Sequence, residues 1–317
     1  MNRMNVLVDG SLESRHVEKI RAVSEDIEVL RLNSPGEVLE TMPDVDIVFG
    51  DVTPAMFERG TRLRWSQLLS AGADTQLFPE YVESDVVLTS AKGLVGTHLA
   101  DHAMALLLGL TRGISHAVRN PDWDQRMSIR KISWELNGKT MGIVGFGGTG
   151  RELAVRAQGF GMKVIAVDPE RVEVSDFIEE VWTTDRFHEL LAESDVVAIC
   201  APSTRETRGM FDRAAFREMR NHAMLINVTR GDIMDEEALL EALEQGQIGG
   251  AGLDVTPREP LLDDHPLWHM DNVIITPHTA GGSPERLDRS VNLFCQNLER
   301  FLNKEPLLNV IDKQKGY

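Results

Sequence analysis

Cysteine is almost missing from this chain: 317 residues contain two, Cys200 and Cys295, far apart and without the paired spacing of a zinc site or a disulfide framework. Cys200 ends the apolar run VVAIC and Cys295 lies in a helical pattern, so both read as buried thiols in a reducing cytosol, and no metal site is expected. Long hydrophobic runs are also lacking. The longest apolar stretch, about Ala103 to Leu110, is too short to span a bilayer, and no basic region followed by an apolar core marks a signal peptide. A cytoplasmic protein without a membrane partner is expected. Basic residues are scarce: 33 Lys and Arg against 50 Asp and Glu leave a net charge of −17. That balance argues against nucleic acid, which requires a basic face, and it means that an anionic substrate needs a locally positive pocket. No internal repeat, low-complexity tract or flexible linker interrupts the chain.

Short β-prone runs alternate with helical patterns from the start: 4–9, 27–32, 46–51, 64–70 and 86–91. Thr53-Pro54 marks one helix start, a cap residue followed by proline at the first helical position. A second series, more continuously apolar, runs through 140–147, 163–169, 196–201, 223–229, 250–255 and 272–278. Such runs suit parallel strands covered on both faces. The spacing predicts an α/β fold of two parallel-sheet units, Rossmann-like or flavodoxin-like. A helix over 97–110 joins them, and another, from Ser283-Pro284 to about Asn303, carries the chain back to the first.

Within the second series, Gly145, Phe146, Gly147, Gly148, Thr149 and Gly150 match G-x-G-x-x-G. The pattern alone is weak, but its context is specific. It follows a strand, opens a helix, and Asp168 ends the next strand. The glycines permit a tight turn, backbone approach to a pyrophosphate and close helix–strand packing, while the helix N-terminus offers N–H groups to the phosphates. The Asp168 carboxylate can accept from ribose hydroxyls and repels a 2′-phosphate, so NAD is expected over NADP. Thr149 departs from the aliphatic residue usual there.

Three later strands each run into a polar residue: Arg230, Glu259 and His278. Ligands of open α/β sheets bind beyond the carboxyl ends of strands. An arginine can hold a carboxylate by a bidentate pair and polarise a neighbouring carbonyl. Histidine can exchange the alcohol proton near neutral pH, and a carboxylate behind it favours the protonated form. Arg230, Glu259 and His278 are therefore the candidate catalytic residues for hydride transfer at a carbon bearing oxygen. His98, His102, His188 and His265 carry no such placement, and Trp123 and Trp134 read as packing or interface residues.

The blocks 138–154, 226–243, 252–261 and 265–281, with SAGAD at 70–74, resemble the NAD-dependent D-isomer-specific 2-hydroxyacid dehydrogenases. The resemblance implies a discontinuous substrate domain, 1–95 with 284–317, and an NAD-binding Rossmann domain, 96–283. It implies that Arg230 binds the substrate carboxylate and carbonyl, that His278 is the acid/base paired with Glu259, and that Ala71 and Gly72 offer N–H groups to the carboxylate. It makes Asp254 the nicotinamide carboxamide partner, places Ala201, Pro202 and Thr207 along the adenosine side, and extends the cofactor contacts to Val228, Thr229, His278 and Gly281. Glu259 separates the chain from the formate dehydrogenase branch, which has glutamine there, and no regulatory domain is expected after residue 317. The SAGAD loop is closer to the glyoxylate/hydroxypyruvate reductase style than to the more usual glycine-rich version. The resemblance implies a homodimer, with about Gly113 to Lys139 as its arm, acting on a small 2-keto or 2-hydroxy acid. An alternative on the same fold is an NAD(H)-responsive corepressor that binds peptides; a phosphite-type oxidoreductase is a third.

Overall fold

The structure is a computed structural model that describes residues 3–170, 178 and 181–316. It contains two compact units, Met1–Val95 with Ser283–Tyr317 and Gly96–Gly282. Each is built on one all-parallel sheet.

The first sheet has strands β1 (Met4–Val8), β2 (Ile27–Arg31), β3 (Ile47–Phe49), β4 (Trp65–Gln67) and β5 (Val87–Thr89). Their spatial order, β2-β1-β3-β4-β5, is the flavodoxin-like winding. Thr53 caps its helix as its position before Pro54 predicts, accepting from the Met56 N–H at 3.3 Å. The core on one face is completed from the far end of the chain. In the helix Pro284–Leu302, Ser290, Val291, Phe294, Asn297 and Leu298 recur at helical spacing and are buried. Phe294 stacks on Phe49 with ring centroids 4.2 Å apart and on Trp65 at 5.1 Å. The Asn297 amide donates to Gln67 Oε1 at 2.9 Å, and its Oδ1 accepts from the Leu308 N–H at 2.8 Å. Buried amides are retained at little cost when satisfied in this way.

The second sheet has β6 (Thr140–Val144), β7 (Lys163–Val167), β8 (Val181–Trp182), β9 (Val196–Ile199), β10 (Met224–Asn227), β11 (Gly250–Leu253) and β12 (Val273–Ile275). Its order, β12-β11-β10-β9-β6-β7-β8, is that of a doubly wound Rossmann sheet extended by one strand. The winding reverses between β6 and β9, and that switch point is where such sheets take ligands. Strand β8 is an addition to the sequence reading; two residues are too few for a periodic signal. The helices Gly96–Thr111 and Gly148–Gly159 cover one face, with Ala100, Ala103, Ala154 and Ala157 buried in the same cluster. Small side chains let the backbones approach closely: a Cβ on Gly96 would lie 2.7 Å from the Gly148 carbonyl oxygen.

Burial pushes the Cys200 thiol up to about 12 and the Cys295 thiol up to about 11, so neither is a thiolate near neutral pH. Among the described residues no cluster of His, Cys, Asp and Glu could hold a metal ion, and no helix is long and apolar enough to cross a membrane.

Candidate active site

The loop after β6 uses its three motif glycines for different reasons. Gly145 has φ +94°, and a Cβ there would lie 2.6 Å from the Ala201 nitrogen, so the turn tolerates only glycine. A Cβ on Gly150 would run into the Gly145 carbonyl oxygen and come within 3.1 Å of Ile143 Cγ2, which seats the helix on the strand. Gly147 has nothing within 4 Å of its would-be Cβ. It caps the helix Gly148–Gly159, whose first N–H groups are the kind that phosphates accept from. The loop therefore fits a pyrophosphate: a rigid turn, a tightly packed helix start and an open backbone between them.

Asp168 follows β7 and is oriented by main-chain donors: Oδ2 accepts from the Phe146 N–H at 2.7 Å and Oδ1 from Glu170 at 2.9 Å. Its carboxylate is thus anchored to the glycine loop itself. After β9, Ala201 is buried, and the Thr207 hydroxyl donates to the Pro202 carbonyl at 2.7 Å. The Ser203 hydroxyl donates to Asp232 Oδ2 at 2.7 Å and the Gly209 N–H to the Asp232 carbonyl at 2.9 Å, tying this loop to the Arg230 segment. Sequence reading gave Ser203 and Asp232 no part, although Asp232 lies within the block 226–243.

Arg230 follows β10. Its carbonyl accepts from the Asn227 amide at 2.9 Å. Val228 is buried, and the Thr229 N–H donates to Asn227 Oδ1 at 3.1 Å. Gly231 lies so close to the loop after β11 that a Cβ would overlap the Thr256 carbonyl and stand 2.6 Å from the Pro257 nitrogen. That approach sets the Arg230 backbone beside the loop that carries Glu259.

His278 and Glu259 meet. The imidazole Nδ1–H donates to Glu259 Oε2 at 2.7 Å, and Glu259 Oε1 accepts from the Thr256 N–H at 3.2 Å. Nε2 is then the nitrogen left for a ligand. His278 has φ +53°, a conformation that costs a residue with a Cβ about 1–2 kcal/mol. Such outliers persist where the surroundings over-determine them. Here the determinant is Asp254, which is 2% exposed. Its carbonyl accepts from the His278 N–H at 2.8 Å, and its carboxylate takes the N–H groups of Thr279 at 2.8 Å and Ala280 at 2.9 Å and the Thr276 hydroxyl at 2.6 Å. His102 Nε2 lies 2.8 Å from Thr276 Oγ1 and 3.4 Å from Asp254 Oδ1. A histidine that sequence reading set aside therefore supports the turn that carries His278. Gly281 closes this segment, half-buried.

In the other unit, Ala71 lies in a bend after β4 with Gly72 next to it, and among the described residues neither N–H donates to another group of the chain.

Residues 104–280 match the family model described as D-isomer specific 2-hydroxyacid dehydrogenase, NAD binding domain. A glyoxylate reductase from Korarchaeum cryptofilum (strain OPF8) is 33% identical over 286 residues, 87% of this chain and 86% of that protein. The chain belongs to the D-isomer specific 2-hydroxyacid dehydrogenase family. Among solved structures, a D-isomer specific 2-hydroxyacid dehydrogenase family protein from Aeromonas salmonicida superposes with a TM-score of 0.83 at 28% identity, covering 99% of this chain and all of that one. An NADPH-dependent glyoxylate/hydroxypyruvate reductase from Sinorhizobium meliloti, solved with NADP and sulfate, has a TM-score of 0.81 at 28% identity, again over 99% and 100%. The protein is an oxidoreductase with an NAD-binding domain, transferring a hydride between nicotinamide cofactor and a 2-hydroxy acid or 2-keto acid.

The loop geometry separates two glycine variants. Gly147→Ala places a methyl in open space and should change stability by less than about 1 kcal/mol, yet weaken NADH binding at least roughly tenfold by blocking the backbone–phosphate approach. Gly150→Ala should cost about 1–3 kcal/mol of stability. Thermal melts with fluorescence titration of NADH would show the reverse ranking if the roles were exchanged.

Proposed function

We propose that the protein reduces a small 2-keto acid of the glyoxylate or hydroxypyruvate kind with NADH. The observation that carries this reading is the His278–Glu259 hydrogen bond on a left-handed turn, which leaves Nε2 available. NADH, when bound, supplies the hydride; the glycine loop, Asp168, Ala201, Pro202, Thr207, Val228, Thr229, Asp254 and Gly281 hold it. Arg230 grips the substrate carboxylate and draws electron density from the keto oxygen. His278 donates the Nε2 proton to that oxygen as the alcohol forms, and Glu259, hydrogen-bonded at Nδ1, holds the tautomer and stabilises the charged ring. Ala71 and Gly72 present N–H groups to the carboxylate, which makes the unit of Met1–Val95 and Ser283–Tyr317 the substrate domain. Relatives named glyoxylate reductase and hydroxypyruvate reductase support the small substrate.

NAD is the preferred cofactor in this reading, because Asp168 sets a fixed negative charge where NADP carries a phosphate. The protein works as a cytoplasmic homodimer through the segment Gly113 to Lys139. There Val118 is 74% and Trp123 86% exposed, and Ile114, Met127 and Ile132 are exposed with them. An apolar patch of this kind is unusual on a surface that stays in water.

Steady-state assays with glyoxylate, hydroxypyruvate and pyruvate test the substrate reading, which fails if none is reduced. In the same assays His278→Ala should lose roughly 10²–10⁴-fold in kcat. NADH affinity should be retained. Glu259→Gln should lose less and recover part of its rate in acid, where protons are plentiful; an equal loss at every pH would break the pairing. Arg230→Ala should raise KM and lower kcat together.

For cofactor choice, wild type should favour NADH in kcat/KM, and Asp168→Ser should narrow that preference by roughly ten- to a hundredfold. Equal use of both cofactors by wild type would refute the assignment. For assembly, sedimentation should find a dimer, and Trp123→Glu combined with Val118→Glu should halve the mass; a monomeric wild type would remove the arm's role.

A further inference from the structure

The reaction above uses one arginine, Arg230, and leaves a second guanidinium unexplained. Arg286 lies in the first turn of the helix Pro284–Leu302 and is half-buried. Burial holds it below the ordinary arginine range. A guanidinium that gives up hydration must satisfy its donors on the protein. One Nη2 proton goes to the carbonyl of Leu69 at 2.8 Å. Leu69 directly precedes Ser70, Ala71 and Gly72.

The consequence follows from peptide planarity. In a trans peptide the carbonyl of one residue and the N–H of the next point in opposite directions. The Ser70 carbonyl accepts from the Ala91 N–H at 2.9 Å, which turns the Ala71 N–H away from β5 and the segment after it. The Ser70 hydroxyl donates to the Gly72 carbonyl at 2.9 Å, which tightens the bend. Arg286 supplies the bond that fixes the plane at the entrance, where the chain has left β4 and has no ladder partner for Leu69. The Leu69, Ser70 and Gly72 carbonyls are thereby all occupied, and the Ala71 and Gly72 N–H groups are left on the loop. The guanidinium also brings positive charge to this loop in a protein of net charge −17.

We propose that Arg286 is a positioning residue for substrate binding: by holding the Leu69 carbonyl it fixes the Leu69–Ser70 peptide plane, the entrance of the loop whose Ala71 and Gly72 N–H groups receive the carboxylate. This rests on the reading of that loop as the carboxylate cradle. In this reading Arg286 acts through the loop and not on the reacting atoms, so its removal acts on KM and leaves the chemical step in place.

The test is steady-state reduction of glyoxylate by the whole enzyme, with oxamate as a competing carboxylate and NADH titrated by fluorescence. Arg286→Ala should raise the glyoxylate KM and the oxamate Ki roughly ten- to a hundredfold, the range for a lost bond to a charged donor, while kcat stays within about twofold. The NADH dissociation constant should not move. Arg286→Lys, which keeps a charged donor without the planar fork, should give an intermediate rise. If Arg286→Ala does not fold, Arg286→Lys decides alone, and a wild-type KM in it overturns the proposal. Equal losses in kcat, KM and NADH affinity would make Arg286 a general support of the fold and overturn it too. Gly72→Pro, which deletes one N–H of the loop, separates the two levels. A raised KM there with an unchanged KM in Arg286→Ala rejects the positioning role and leaves the cradle standing. An unchanged KM in both rejects the cradle and the proposal with it.

Discussion

Asp254 holds the turn on which the proposed chemistry depends. A buried carboxylate needs several donors to remain, and the donors it takes are those of the segment Thr276 to Ala280. The arrangement is reciprocal: the turn satisfies the carboxylate, and the carboxylate forces His278 into a conformation that it would not adopt alone. The imidazole is therefore aimed by backbone geometry, and Glu259 then chooses its tautomer. His102 enters the same network from the helix Gly96–Thr111, linking that helix to the end of β12. Loss of any donor would be felt at His278.

The same economy recurs at Gly231. The absence of a side chain lets the Arg230 segment lie against the carbonyl of Thr256, the residue whose N–H donates to Glu259. Asp232, one step further, binds the Ser203 hydroxyl on the loop after β9. Three strand ends, β9, β10 and β11, are thus cross-linked by short polar bonds and one missing methyl. Preorganisation of this kind lowers the cost of holding reacting groups in place.

The strands of the second sheet were legible because parallel strands buried on two faces are near-continuous apolar runs, and those of the first as short β-prone runs; predicted spans differ from the observed ones only at the ends. Sequence reading missed β8, whose two residues have no period. The glycine loop was readable because each glycine answers a different steric demand, at Gly145, Gly147 and Gly150. Arg230, Glu259 and His278 stood out through their place at strand ends, and the structure brings Glu259 and His278 into contact. What sequence reading could not supply was the supporting set. His102 sits on a helix whose pattern reports only burial, and Ser203, Thr256, Thr276 and Asp232 act through hydrogen bonds that have no periodic trace. Asp254 was read as a cofactor contact; its further part, taking the N–H groups of Thr279 and Ala280, left no mark in the sequence.

The core of the first unit has a consequence for how the molecule comes into being. Phe49 and Trp65 leave the ribosome well before their stacking partner Phe294 and the amide of Asn297, which follow the whole Gly96–Gly282 segment. The sheet of β1 to β5 must therefore wait with an aromatic face uncovered while the contiguous Gly96–Gly282 segment has all its partners at hand. Closing such a long loop is slow relative to local pairing. The central unit can fold while the chain is still attached, and the first unit is sealed last, by the helix that carries Arg286.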